Sequence, residues 1–145
     1  MERVLIIGCS GSGKTALANA LGEKLGLPVI QLDALWEGNP TREEFDARLS
    51  RALEMDGWIM DGNYSRTMDV RLSRCDTLIY LDMGRFACLR GLLRQRPIPW
   101  KSFRWVWNYR RSNRVRDELY LAKAQHAQRV VLKNKKQVRS FLEGL

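Results

Sequence analysis

Short unbroken apolar runs alternate along this chain with longer stretches in which apolar residues return every three or four positions. Residues 4–7 (VLII), 29–32, 58–60, 77–81 (TLIYL) and 129–132 are rich in β-branched and aliphatic side chains, and their length predicts strands, the one over 29–32 buried. Leu17, Ala20, Leu21 and Leu25 mark one face of a first helix, and Phe45, Leu49, Ala52 and Leu53 mark a second. Residues 69–74 suit a short helix or turn carrying Arg71 and Arg74, with Arg66 just before it. Phe86, Leu89, Leu92 and Leu93 give a helix from about Arg85. Residues 101 to about 121 read as one further helix whose core stripe is Phe103, Val106 and Trp107. Val138, Phe141, Leu142 and Leu145 predict a last amphipathic helix.

The punctuation agrees with this division. Gly26 can cap the first helix, and Pro28 prevents its continuation. Thr41-Arg42-Glu43-Glu44 is a capping-box pattern, Asp56-Gly57 is a turn, and Pro97-Ile98-Pro99 ends a helix. Five strands alternating with helices predict a parallel three-layer α/β domain. At 145 residues the expectation is a single domain.

Where the first strand meets the first helix, Gly8, Cys9, Ser10, Gly11, Ser12, Gly13, Lys14 and Thr15 fit G-x-x-x-x-G-K-[ST] at every fixed position. Glycines let backbone N–H groups close around an anion, and a helix N-terminus favours negative charge. Lys14 can reach the β,γ-oxygens of a nucleoside triphosphate, and the Thr15 hydroxyl can ligate Mg²⁺. Aspartates follow the second, third and fourth strands: Asp33, Asp61 and Asp82. Residues just beyond the carboxyl ends of such strands face the ligand crevice. Asp61 suits a Walker B carboxylate on the Mg²⁺ shell, although Asp61-Gly62 also fits a plain strand-end turn. Gly62 stands where hydrolysing ATPases commonly carry a glutamate, which favours transfer to an acceptor over hydrolysis. Arg90 and Arg94 share a helical face and can clamp phosphoryl oxygens, or form a solvated face. Asn134-Lys135-Lys136-Gln137 lacks the final acid that pairs with guanine, so ATP is expected rather than GTP.

Charge is unevenly distributed along the chain. Residues 1–84 carry 9 basic and 13 acidic groups, whereas residues 85–145 carry 16 basic and 3 acidic. Arg104, Arg110, Arg111, Arg114 and Arg116 surround the 101–121 stripe. That field suits polyphosphates or nucleic acid. The tryptophans at 100, 105 and 107 read as packing rather than base stacking, and His126 has no evident partner. Cys9, Cys75 and Cys88 are odd in number and lack metal-site spacing, so neither a disulfide framework nor a zinc site is expected. No run reaches the length of a membrane span or a signal-peptide core, and the expected compartment is the cytoplasm.

The segments GCSGSGKT, LPVIQLDALW, WIMDGNYSRTMDVRL, DTLIYLDM and CLRGLLRQR together resemble the bacterial adenylate kinase-like proteins labelled DNA topology modulation proteins, among the P-loop kinases of small acceptors. The resemblance covers nearly the whole chain. It implies a sheet of order 2-3-1-4-5, ATP at the P-loop, and an acceptor pocket at the ends of strands two and three. By position, Asp33 and Asp61 would contact the acceptor or metal shell, and Asn63, Tyr64 and Arg71 would line the pocket. Arg90 and Arg94 would match lid-flanking arginines, and the Asn134-Lys135 turn would lie beside the nucleobase. Asp33, meeting an acceptor hydroxyl, would orient or deprotonate it. The longer glycine-containing lid of those proteins is reduced here to residues 95–100, which implies slow turnover and a leak into ATP hydrolysis. Two functions follow: an ATP- and Mg²⁺-dependent kinase of a small hydroxyl or phosphate acceptor, a nucleotide included, or a nucleic-acid-binding ATPase.

Overall fold

In the computed structural model, five parallel strands stand in the order β2-β3-β1-β4-β5. The structure describes the backbone of residues 1–145 and the side chains of all but residues 110–112, so the expected placement of Arg110 and Arg111 lies outside the described residues. The strands are β1 (Arg3–Gly8), β2 (Val29–Gln31), β3 (Trp58–Asp61), β4 (Thr77–Leu81) and β5 (Gln128–Leu132). Helices α1 (Lys14–Leu25), α2 (Arg42–Leu53), α3 (Met68–Arg74), α4 (Arg85–Leu93), α5 (Ser102–Ser112), α6 (Arg114–Lys123) and α7 (Lys135–Glu143) cover both faces. None of the described helices is long and apolar enough to cross a membrane.

β1 explains the layering. Its successive side chains point to opposite faces, so Leu5 and Ile7 enter one core while Val4 and Ile6 enter the other, all of them fully buried. The first core gathers Phe45 and Leu49 of α2, Met68 and Leu72 of α3, and Tyr120 of α6. The second gathers Leu17 and Leu21 of α1, Leu92 of α4, and Val106 and Tyr109 of α5, with Val138 and Phe141 of α7 at its margin. A strand buried on both faces has no polar alternation, which is why residues 4–7 are uniformly apolar.

Local signals act as the sequence implies. Gly26 adopts φ 66° and returns its N–H to the Gly22 carbonyl, closing α1. Thr41 and Glu44 complete a reciprocal capping box at α2, with each side chain accepting the other's backbone N–H.

Three expectations need correction. The expected helix over residues 101–121 is two helices that meet at Asn113. Val106 and Tyr109 of α5 belong to one core, while Tyr120 of α6 and Ala124 just beyond it belong to the other. The chain therefore passes from one face of the sheet to the other between them, and one straight helix cannot do so. The core stripe differs accordingly: Trp107 is 47% exposed, edge-on to Phe86 with the Arg85 guanidinium over its ring, and Tyr109 takes the buried position. Trp100 is also largely exposed, stacked on Phe103. Finally, β2 stops at Gln31, because a 3₁₀ turn over residues 32–36 swings Leu32 into the core and carries Asp33 out of the strand.

Strand register sets the level of the carboxyl ends. Ile6 pairs with Asp61, Gln31 with Asp61, and Gly8 with Leu81. The tips of β2, β3 and β4 thus end beside the start of the loop that follows β1.

Candidate active site

The loop from Gly8 to Gly13 turns through three positive φ angles, 154° at Gly8, 80° at Gly11 and 96° at Gly13. Its tip lies directly on α4. A Cβ at Gly11 would stand 2.2 Å from the Cys88 carbonyl, and one at Gly91 would stand 2.0 Å from the Gly11 carbonyl. Two glycines facing each other are what let loop and helix touch backbone to backbone. Residues 10–16 line a cavity of about 840 Å³. Ser12 is buried there, and its Oγ has no partner among the described residues, which suits an incoming anion. The Lys14 ammonium donates to the carbonyls of Gly8 (3.1 Å) and Cys9 (3.0 Å). Burial pulls its pKa below the ordinary lysine value, while nearby Asp61 opposes that shift.

The Thr15 hydroxyl donates to Asp61 Oδ2 at 2.9 Å, joining the first turn of α1 to the tip of β3. Burial raises the Asp61 pKa, and the Thr15 bond and the Lys14 charge offset part of that rise. A hydroxyl beside a carboxylate is a hard-oxygen donor pair of the kind Mg²⁺ takes when it keeps most of its waters. Thr15 and Asp61 are the residues that would hold it.

The far side of the 840 Å³ cavity is built by Arg90, Gly91, Arg94 and Gln95, and by Lys133, Asn134 and Lys135. Both expected arginines therefore face the same space as the loop. The Asn134 side chain accepts the Gln137 N–H at 2.9 Å and caps α7, so it is the turn around it that borders the cavity. Lys14, Arg90, Arg94, Lys133 and Lys135 outnumber Asp33 and Asp61 along this lining, a balance suited to a polyphosphate.

A second cavity, of about 600 Å³, opens on the other side of Lys14 and Asp33. The two cavities share Ser10, Lys14, Asp33 and Gly62. Asn63 and Tyr64 line the second, as does Trp36. The Asn63 amide donates to the Gly8 carbonyl and so ties the end of β3 to the end of β1. The Tyr64 hydroxyl donates to Asp33 Oδ1, and burial together with that carboxylate pushes its pKa up to about 12.

Arg71 lies elsewhere. It is fully buried, lines neither cavity, and donates to the carbonyls of Gly62 (2.8 Å) and Tyr64 (2.7 Å) and to Thr67 Oγ1 (3.2 Å). Three acceptors around its guanidinium make it a brace beneath the pocket floor rather than a contact surface. His126, for which the sequence offered no partner, pairs through Nε2 with the Leu72 carbonyl at 3.0 Å.

Sequence reasoning missed Asp117, Gly91, and the ring cluster of Trp36, Phe45 and Trp105. One signal was legible: residues 85–116 contain no acid, and Asp117 interrupts them. Its side chain is 1% exposed, Oδ2 has no hydrogen-bond partner among the described residues, and Arg116 Nε approaches Oδ1 only to 4.0 Å. Burial pushes its pKa up to about 7, moderated by Lys14 and reinforced by Asp82. Asp82 itself is paired with Arg114 at 3.2 Å.

The chain matches no family model, and no curated protein matches its sequence. Its fold is that of the P-loop kinases. It is similar to shikimate kinase from Bacteroides thetaiotaomicron, with a TM-score of 0.67 and 19% identity over 99% of this chain and 95% of that one. Shikimate kinase from Acinetobacter baumannii in complex with shikimate gives 0.63 and 17% over 99% and 90%. Deoxyadenosine kinase from M. mycoides with bound dATP gives 0.58 and 13% over 97% of each chain. At these identities the likeness is one of fold.

Asp117 yields a pH prediction. Its folded pKa of about 7 lies above the reference value of 3.8, so the unfolded chain releases a proton that the folded chain retains. Between about pH 4 and pH 7 this group therefore removes stability as pH rises, and Asp117→Asn abolishes that contribution. Urea unfolding of both proteins at pH 4.5, 6 and 7.5 should give a stability difference that shifts progressively in favour of the variant. A difference independent of pH would contradict the assignment.

Proposed function

We propose that this chain is an ATP- and Mg²⁺-dependent phosphotransferase that moves a γ-phosphoryl group onto a hydroxyl of a small acceptor. One observation carries the reading: a cation-lined cavity and a separate aromatic-lined cavity meet at Lys14 and Asp33. The triphosphate lies in the first and the acceptor in the second, so the transferred group crosses between them at that junction. The similarity in fold to shikimate and deoxyadenosine kinases supports the same reaction class.

In this reading the loop amides and Lys14 hold the β- and γ-phosphates, and Arg90 and Arg94 hold the outer oxygens. Catalysis is positioning together with charge neutralisation. Asp33 has Oδ1 on the Tyr64 hydroxyl, leaving Oδ2 to orient the acceptor hydroxyl and take its proton. The hydroxyl oxygen bonds to the γ-phosphorus as the bond to the β,γ-bridging oxygen breaks, and ADP leaves with that electron pair. Mg²⁺, when bound by Thr15 and Asp61, supplies further neutralisation of phosphate charge. The connection over residues 95–100 is short where the resembled proteins carry a longer lid, so in this reading turnover is slow and part of the ATP is lost to water. The enzyme works in the cytoplasm, where ATP and Mg²⁺ are abundant.

The basic residues 85–145 support a second reading, an ATPase that binds nucleic acid and belongs with the DNA topology modulation proteins. Arg90, Arg94, Lys133 and Lys135 already face the cation-lined cavity, so much of that charge has a use without nucleic acid.

Lys14→Ala should lower kcat by at least about 100-fold, the scale expected for removing a group that stabilises transition-state charge. Its melting temperature should stay within about 5 °C of the wild type, a shift of roughly 1 kcal/mol. Retained turnover in a folded variant would refute the role. Gly91→Ala puts a methyl 2.0 Å from the Gly11 carbonyl and must displace the loop. Calorimetric titration should give ATP affinity about tenfold weaker, although alanine favours the helix itself. Gly84→Ala, which meets nothing within 4 Å, should bind as the wild type does.

A further inference from the structure

We propose that the acceptor is an uncharged aromatic alcohol of the nucleoside kind, a flat heteroaromatic ring bearing a sugar-type hydroxyl. The inference rests on the phosphotransferase reading for its chemistry, but its binding claim stands on the 600 Å³ cavity alone.

Four aromatic residues, Trp36, Phe45, Tyr64 and Trp105, line that cavity. Trp36 stacks on Phe45 with ring centroids 4.3 Å apart and planes 18° from parallel, and Tyr64 leans on Phe45 at 6.0 Å. Opposite in sequence and on a different helix, Trp105 is braced edge-on by Tyr109 at 5.2 Å. Phe45 is nearly fully buried, so it backs the wall, while Trp36, Tyr64 and Trp105 remain partly exposed. Rings held in place by other rings present a preformed apolar surface, and every planar base has a face to lay on it. A nucleoside is much smaller than 600 Å³ and fits with room for water.

Charge argues against an anionic acceptor. Among the described residues Arg66 is the guanidinium lining the cavity, and both its terminal nitrogens bond to the two oxygens of Asp46, at 2.7 and 3.0 Å. Arg71 is buried beneath the floor on backbone carbonyls. Lys14, which also lines the cavity, is engaged by the carbonyls of Gly8 and Cys9, Lys101 is exposed to solvent, and Asp33 adds a negative charge. Among the described residues, a carboxylate or phosphate on the acceptor would meet no free guanidinium there, whereas a neutral ring meets a wall built for it. Tyr64 belongs to the wall and also bonds Asp33, so a hydroxyl projecting from the stacked ring is directed to the carboxylate at the junction with the other cavity.

In the transfer, the acceptor oxygen bonds to the γ-phosphorus of ATP, the bridging P–O bond breaks toward ADP, and the hydroxyl proton passes to Asp33. Nothing beyond ATP and the alcohol is consumed.

Isothermal titration calorimetry without ATP, using adenosine, uridine, AMP and shikimate as probes, tests the binding claim. At least one nucleoside should bind more tightly than its monophosphate or shikimate, with an affinity that changes less than twofold between 50 and 300 mM salt. Trp105→Leu should weaken it at least tenfold and Trp105→Phe less than threefold, each with a cooperative melt. Binding of AMP or shikimate but not the nucleosides, binding of none, or equal affinities in the Leu and Phe variants would overturn the proposal. A separate titration with Mg·ATP distinguishes the two levels. Nucleoside binding without ATP binding would sink the phosphotransferase reading and leave the aromatic site standing. ATP binding with phosphoryl transfer only to shikimate would do the reverse.

Discussion

The hydrogen bond from Thr15 to Asp61 depends on the register of three strands, and the site depends on it in turn. Ile6 pairs with Asp61, so the last residue of β3 stands two residues below Gly8, where the loop leaves β1. Two residues of β3 register the other way would remove the carboxylate from Thr15 altogether. A shift by a single residue is costly in its own right, because it turns every side chain of the shifted strand to the opposite core, in β1 exchanging Leu5 and Ile7 with Val4 and Ile6. The apolar run that seems purely structural is therefore what places a polar pair 46 residues apart in sequence within hydrogen-bond distance.

Above that level, the site is assembled from elements that approach from both layers. α4 meets the loop through Gly91 and Gly11 and so delivers Arg90 and Arg94 to the phosphate side. α5 delivers Trp105 to the other cavity, and the chain then passes to the other face of the sheet around Asn113, where Arg114 pairs with Asp82 at the tip of β4. This crossing also buries Asp117, whose charge is felt by Lys14. The positive C-terminal half is thus not a uniform surface field. Part of it faces the cavity, part is neutralised by Asp82 and Glu118, and part is exposed.

Most of the sheet was legible because its signals are local: period, capping box, glycine stop and P-loop spacing each involve residues close in sequence. What the sequence could not disclose needs two distant segments at once. Nothing near Trp107 reveals that Tyr109 takes its buried place, since that depends on where the second core lies relative to the bend at Asn113. The family resemblance put Arg71 in the pocket by position, and only the folded turn over residues 62–67 supplies the two carbonyls and the hydroxyl that engage it. Trp36 and Trp105 lie 69 positions apart in the chain yet line one cavity, a pairing no single-segment pattern contains.

The central claim is that the loop after β1 and the neighbouring strand tips close around one polyphosphate. Amide chemical-shift mapping by heteronuclear NMR with Mg·ATP tests it most directly. The account predicts concerted, saturable shifts at residues 11–15, 61–62 and 133–135, with residues 56–57 and 76 at the opposite ends of the strands unmoved. Saturable shifts that bypass residues 11–15, or none at millimolar nucleotide, would contradict it.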